Sequence, residues 1–421
     1  MSVSFLRLSL CGAVMGVLAG CGGGSGSGSG GGGGNGGGGG SPTTVTYDFT
    51  GAPPTAVATR IGSGAYTQAT LSSGKLTISV PSGTANYSVA YLCPPRTDQT
   101  PEPQYEYIDQ NSTLDGTSFT GYCYEPGTAP QVSIVNVVVD ASAIHGGAYV
   151  LVNGSGNAWS PNPQSVSVGM PAGTYDVVVS VADAQFNPIA LKILRQQTIP
   201  GNLNGGNPVV FASSDAMVQQ PITYAGVPAG FTPGAQGNYV TAEGAYIDLG
   251  FSLTSEYPAI PAASVEGGDW YSFNAYASKS LSPTVNERVG VEFDTKSVGG
   301  PETFTFPAPW AYTGPSPAAL PTFAIDYSGF SGMQNVEQFA DLYWGTNSSN
   351  AISISASENY QVGSATLAVP DLSGVPGFLA PPPSGTSVQW NAGTSHLVSG
   401  SVSGSDLNVS SVSDSGTYTE P

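Results

Sequence analysis

The chain has 421 residues, of which only 9% are charged, and its 28 acidic against 9 basic residues give a net charge of −19 at pH 7. That balance excludes nucleic acid and anionic lipid as natural partners, because both need a basic surface. With 58 Gly and 34 Pro, long helices are disfavoured throughout, and the surface must be covered by Ser, Thr, Asn, Gln and Gly.

Chain order begins with a strong local signal. Residues 8–18 form an apolar run led by Arg7 and closed by small residues. It is too short for a stable membrane span and has the layout of a secretory signal peptide. Its ending, Leu18-Ala19-Gly20-Cys21, resembles the lipobox of bacterial lipoproteins. The resemblance implies removal of residues 1–20 and a lipidated Cys21 as the first mature residue. It also implies a diacylglyceryl group, often with a further amide-linked chain, which makes anchoring durable. Gly22 follows the cysteine where inner-membrane retention usually has Asp, so the resemblance leans to the outer membrane of a Gram-negative cell. The expected partner at this end is therefore a membrane, reached through lipid and from outside the cytoplasm.

Residues 21–44 read as a lipidated Cys and a disordered tether. Residues 22–42 carry no charge and no large apolar side chain, too little to offset the entropy of ordering. A Gly-rich coil of about 21 residues spans about 25 Å root-mean-square and about 70 Å fully stretched.

Cys11 lies in the signal and Cys21 at the lipid site, which leaves Cys93 and Cys123. An even pair in an exported chain reads as one disulfide. Closing a loop of about 31 residues contributes about 3–4 kcal/mol in the chain-entropy model.

Beyond the tether, short alternating or β-branched runs recur between Gly, Pro, Asn and Ser punctuation. In the first third they are 45–49, 75–80 and 87–93; in the middle 132–140, 148–152, 165–168, 175–181, 189–194, 208–212 and 246–252. The last third offers 270–277, 289–293, 302–306, 323–327, 351–355, 365–369, 387–390 and 396–402. One segment, 333–344, is a helix candidate that fits a strand equally well. Turn signals every 8–15 residues or so predict an all-β chain of two or three tandem β-sandwiches. Their expected extents are 45–130 with the disulfide, 131–255, and an aromatic-rich 256–421.

An internal echo supports modularity. Leu76-Thr77-Ile78-Ser79-Val80-Pro81-Ser82-Gly83-Thr84 runs into Tyr87-Ser88-Val89, and Val166-Ser167-Val168-Gly169-Met170-Pro171-Ala172-Gly173-Thr174 runs into Tyr175-Asp176-Val177. Strand, Pro-small-Gly-Thr turn and Tyr-initiated strand predict a hairpin. The pattern resembles the hairpin of transthyretin-like and Ig-like modules of bacterial surface proteins.

Catalytic motifs are scarce. His145 and His396 are the two histidines, which narrows acid–base chemistry. Ile144-His145-Gly146-Gly147-Ala148-Tyr149 looks like the oxyanion loop of α/β-hydrolase esterases, but no Gly-x-Ser-x-Gly elbow occurs; Gly329-Phe330-Ser331-Gly332-Met333 fails at its last position. His145-Gly146-Gly147 reads as a turn. Carboxylates for glycoside hydrolysis, such as Glu243, Asp248, Glu256, Glu266 and Asp269, show no motif. Residues 109–116 depart from an EF-hand loop, with Leu114 where Gly is needed, and read as a polar loop inside the disulfide. No metal or other cofactor is expected.

Aromatics are the remaining signal. Trp159, Trp270, Trp310, Trp344 and Trp390 all lie beyond residue 150, joined in the last third by Tyr271, Tyr276, Tyr312 and Tyr343. Most should be core. Trp310, between prolines and so outside a central strand, is expected in an exposed loop, and Trp310, Tyr312 and Trp270 are the candidate ligand-binding aromatics. The expected function is a non-catalytic binding or structural role at the cell envelope, with an envelope protein or glycan as partner. Two alternatives are carbohydrate binding through the last domain and a polysaccharide hydrolase with an Asp/Glu pair.

Overall fold

The computed structural model describes residues 41–96, 100, 102–125, 132–295, 299–310, 314–316, 318–325, 330, 336–360, 366–398 and 408–420. Cys21, the expected signal and the expected tether as far as residue 40 lie outside the described residues, as does Tyr312. What is described is all-β: 27 strands, a few 3-10 turns and no α-helix.

Four successive segments repeat one topology. In the first, Thr43–Gly51 pairs antiparallel with Lys75–Val80 and parallel with Ser118–Cys123. Its second sheet runs in the order Thr67–Gln68, Ala56–Ile61, Asn86–Leu92, Gln104–Ser112. In the second, Val132–Asp140 pairs antiparallel with Gln164–Pro171 and parallel with Val209–Val210. Opposite lie Ser155–Ala158, Tyr149–Val152, Gly173–Ala182 and Pro188–Ile199. The third runs across residue 255: Val218–Ala225 pairs with Glu256–Ala259 and, in parallel, with Glu302–Thr305. Its other sheet is Tyr246–Leu253, Thr232–Val240, Trp270–Ser282 and Val285–Thr295. In the fourth, Thr322–Ala324 pairs with Thr366–Ala368, opposite Asn350–Ser357, Val336–Trp344, Ser387–Val398 and Asn408–Thr419.

The sequence echo falls at the same step of the first two repeats, but it is not a hairpin. Lys75–Val80 and Asn86–Leu92 belong to different sheets, as do Gln164–Pro171 and Gly173–Ala182. The reason is packing. Leu76, Ile78 and Val80 meet Tyr87, Val89 and Tyr91 in one core, and Val166, Val168 and Met170 meet Val177, Val179 and Val181 in another. The two alternating strands face each other across the sandwich, where each fully buried aliphatic side chain contributes about 1.5–3 kcal/mol. Cys93 and Cys123 are disulfide-bonded, with Cα atoms 5.3 Å apart, and tie the two sheets of the first repeat together.

Edge strands then fuse three repeats into one twelve-stranded sheet. Val285–Thr295 pairs antiparallel with Asn408–Thr419, and Asn350–Ser357 pairs in parallel with Gln104–Ser112. Sharing edges in this way removes exposed backbone donors and acceptors. The ambiguous segment at 333–344 resolves as the strand Val336–Trp344. Val336, Gln338, Ala340, Leu342 and Trp344 are buried while the residues between are half-buried, a period of two that a helix does not make.

The second repeat docks on the third through a buried ion cluster. Arg195 donates to Asp176 at 2.8 Å, to Asp269 at 2.6 Å and to the Ser264 carbonyl at 2.6 Å. Residues 109–116 are not the expected loop: Gln104–Ser112 is a central strand of the large sheet, and only the next four residues turn. There Asp115 accepts from the Ser112 amide, Ser357 and Asn359 at 2.5–2.6 Å.

Candidate functional site

The twelve-stranded sheet has two unlike faces where the first and fourth repeats join. One face supplies Ile108, Ala340, Leu342, Ile352 and Ile354 to a core. The other presents, on three neighbouring strands, Tyr105, Tyr107 and Asp109; Ser353, Ser355 and Ser357; and Glu337, Phe339, Asp341 and Tyr343, all half-buried. Register places Tyr107 beside Ser353, Ser353 beside Asp341 and Asp341 beside Asn391. Asp109 is beside Ser355, Ser355 beside Phe339 and Phe339 beside Gly393. A side chain at Gly393 would stand 2.6 Å from the Phe339 ring, so glycine lets that ring lie over the neighbouring strand.

Aromatic rings line one end. Tyr105 and Tyr107 stack with centroids 6.5 Å apart, and Tyr107 stacks on Tyr91 at 5.2 Å. Tyr107 thereby rests on the core of the first repeat, which fixes the ring with little further loss of freedom. The same face continues into the third repeat. There Arg288 stacks over Tyr276 at 4.4 Å and donates to Asn274, which donates to Glu292 at 3.0 Å.

The carboxylates are held away from their ordinary acidity. Burial pushes Asp109 up to about 7, and the negative charge of Glu337 adds to it. Glu337 is raised by burial and by Asp115 and Asp341, against a hydrogen bond from Ser355. Asp341 is raised by burial, opposed by hydrogen bonds from Ser353 and Asn391. Tyr107 is pushed up to about 12, by burial first. Perturbed groups gathered on one face mark a candidate site. Chemically the face offers flat rings, carboxylate acceptors and hydroxyl and amide groups that donate and accept.

The residues expected from sequence lie elsewhere. Trp310 is not loop-exposed: it is half-buried, packs against two cores and donates its Nε1 to Asp414 at 2.6 Å. Trp270 is half-buried at a strand start, and Trp344 and Trp390 are core. Tyr343 joins the face described here, Tyr276 its far end, and Tyr271 is buried. His145-Gly146-Gly147 forms a bend, and a side chain at Gly147 would meet Val181 at 2.6 Å and Trp159 at 2.9 Å. Of the acidic candidates, Asp269 and Glu266 belong to the Arg195 cluster and Asp248 accepts from the Gly250 amide. Glu243 and Glu256 are exposed. Among the described residues no three His, Cys, Asp or Glu side chains gather where they could hold a metal ion.

Sequence reasoning missed Tyr105, Tyr107, Glu337 and Asp341, and read Asp109 only as part of a polar loop. Their signal was present as two period-two runs, Tyr-x-Tyr-x-Asp and Glu-x-Phe-x-Asp-x-Tyr, but nothing local says that these two runs share a sheet. No family model, no curated protein and no solved structure matches this chain.

Proposed function

We propose that this protein is a lipid-anchored, extracytoplasmic binding protein that holds a saccharide on the joined face of its first and fourth repeats. The observation that carries the reading is the alignment of Tyr105, Tyr107 and Tyr343 with Asp109, Glu337 and Asp341 over a floor of serines. Sugar rings present C–H faces that stack on aromatic rings. Their hydroxyls need fixed acceptors, which these carboxylates supply. A preformed site with a few convergent polar groups is what small-molecule recognition requires. The lipobox at Cys21 and the tether behind it supply the address and the reach.

The test is a glycan-binding screen of the detergent-solubilised full chain, repeated with Tyr105→Ala, Tyr343→Ala and Asp341→Asn. Each substitution is expected to weaken binding about tenfold or more, equal to about 1.4 kcal/mol. An absence of binding to any glycan, or binding untouched by all three substitutions, overturns the saccharide reading. Mass analysis of the mature N-terminus tests the anchor: an unmodified Cys21, or cleavage elsewhere, refutes it.

A further inference from the structure

The seam between the third and fourth repeats contains two buried carboxylates face to face. Val285–Thr295 and Asn408–Thr419 pair so that Glu287 stands directly opposite Asp414. Both turn to the core side and are 5% and 4% exposed. Cross-strand neighbours of this kind have Cβ atoms about 5 Å apart. Trp310 donates to one Asp414 oxygen at 2.6 Å. Asp414 Oδ1 and Glu287 Oε1 have no hydrogen-bond partner among the described residues. Asp414 also lines a small pocket of about 10 Å³ together with Trp310, Trp390, Phe323 and Pro315, which has room for about one water.

The charged surroundings do not neutralise the pair. On Trp270–Ser282 the neighbour of Glu287 is Lys279, which is exposed and carries its ammonium 5.9 Å from the Phe231 ring. On Ser387–Val398 the neighbour of Asp414 is Ala392, and His396 stands four residues further along, opposite Ser410. The loop above contributes Trp310, and the short strand Thr322–Ala324 contributes Phe323. On its own strand, Tyr418 donates away from the pair to the Ala318 carbonyl. Burial pushes Asp414 up to about 7, the Trp310 bond draws it back, and Glu287 adds to the rise. Glu287 is raised by burial and lowered in part by Lys279.

We propose that Glu287 and Asp414 are a proton-sharing pair that makes this seam a pH-responsive joint. With a proton present, one carboxyl O–H donates to the other carboxylate and satisfies an oxygen that has no other partner. When that proton leaves to water, two like charges remain side by side in a buried interface. The strand pairing that fuses the third repeat to the fourth then loosens.

Hydrogen–deuterium exchange on the full chain, read by mass spectrometry at pH 5.5, 7.0 and 8.5 and corrected for intrinsic rates, tests this directly. Protection of residues 285–295 and 408–419 should fall by up to tenfold per pH unit above about 7, while residues 132–140 keep theirs. Glu287→Gln and Asp414→Asn should each flatten the seam profile, and Glu243→Gln, at an exposed carboxylate, should leave it unchanged. A wild-type seam whose protection does not fall with pH overturns the proposal, with or without a folded variant. So does an unaltered slope in both carboxyl variants.

Discussion

Arg195 of the second repeat donates two hydrogen bonds to Asp269 of the third, at 3.2 and 2.6 Å, across the contact between them. Asp269 also accepts from Tyr239 at 2.6 Å and from the amides of Ala242 and Glu266 at 2.9 Å. Burial alone would raise Asp269, but these donors outweigh it and hold the carboxyl below its ordinary value. Asp176, whose side chain is 1% exposed, receives the other arm of the guanidinium.

Removing one partner from such a cluster leaves charges buried without a counter-ion. Arg195→Ala is expected to cost about 3–5 kcal/mol. Arg195→Lys should not restore it, because a point charge cannot span two carboxylates and a carbonyl. Chemical denaturation measures both, and a loss below about 1 kcal/mol contradicts the account. The sign with pH follows from the depressed Asp269: its contribution is present above about pH 4 and is lost as pH falls through the folded value.

The disulfide closes a separation of 30 residues between the two sheets of the first repeat. Its removal as the double variant Cys93→Ala, Cys123→Ala should cost about 3–4 kcal/mol. The loss should appear as a lower denaturation midpoint. A midpoint shift confined to the second repeat would contradict the assignment.

The His145-Gly146-Gly147 segment separates a structural role from a chemical one. Gly147→Ala places a methyl group against Val181 and Trp159 and should destabilise by about 1–3 kcal/mol. His145 is exposed, so His145→Ala should stay within about 0.5 kcal/mol. Thermal unfolding of the two variants side by side distinguishes them.

Asp109 supplies a pH test of the candidate site. Its carboxyl is raised to about 7 from about 3.9 in an unfolded chain. The folded state therefore favours the protonated form. That stabilisation is full below about pH 4 and is lost as pH rises through about 7. Asp109→Asn should make the wild-type minus variant difference in Tm shrink and then reverse as pH rises from 4 to 8. A difference independent of pH would contradict an Asp109 carboxyl held above its ordinary value.

Strands whose side chains alternate cleanly were legible in the sequence, and Lys75–Val80 and Val132–Asp140 lie where their patterns place them. Of the strands that the sequence patterns did not mark, two show the physical reason plainly. Gln104–Ser112 carries Glu106 and Gln110 on its buried face, because it packs against another repeat, where the Glu106 carboxylate accepts the Leu379 amide at 3.0 Å. Thr232–Val240 contains a Pro and two Gly, which read as punctuation although the strand is paired on both sides. Trp310 misled in the opposite sense. Its prolines keep it out of a strand, but its indole N–H found a buried carboxylate at Asp414.

What the sequence by itself determined is the all-β class, the pairing of Cys93 with Cys123 and the presence of a repeated step. These rest on side-chain period, turn chemistry and cysteine count, all of which are local. Only the tertiary structure decided which strands became neighbours. Gln104–Ser112 lies in parallel beside Asn350–Ser357, and that pairing assembles the Tyr105, Asp109, Glu337 and Asp341 face. Backbone hydrogen bonds between strands are nearly blind to sequence, so the choice of partner falls to the cores on the two sides of the sheet. One of them, where Ile108 meets Ile352 and Ile354, is built from residues more than two hundred positions apart.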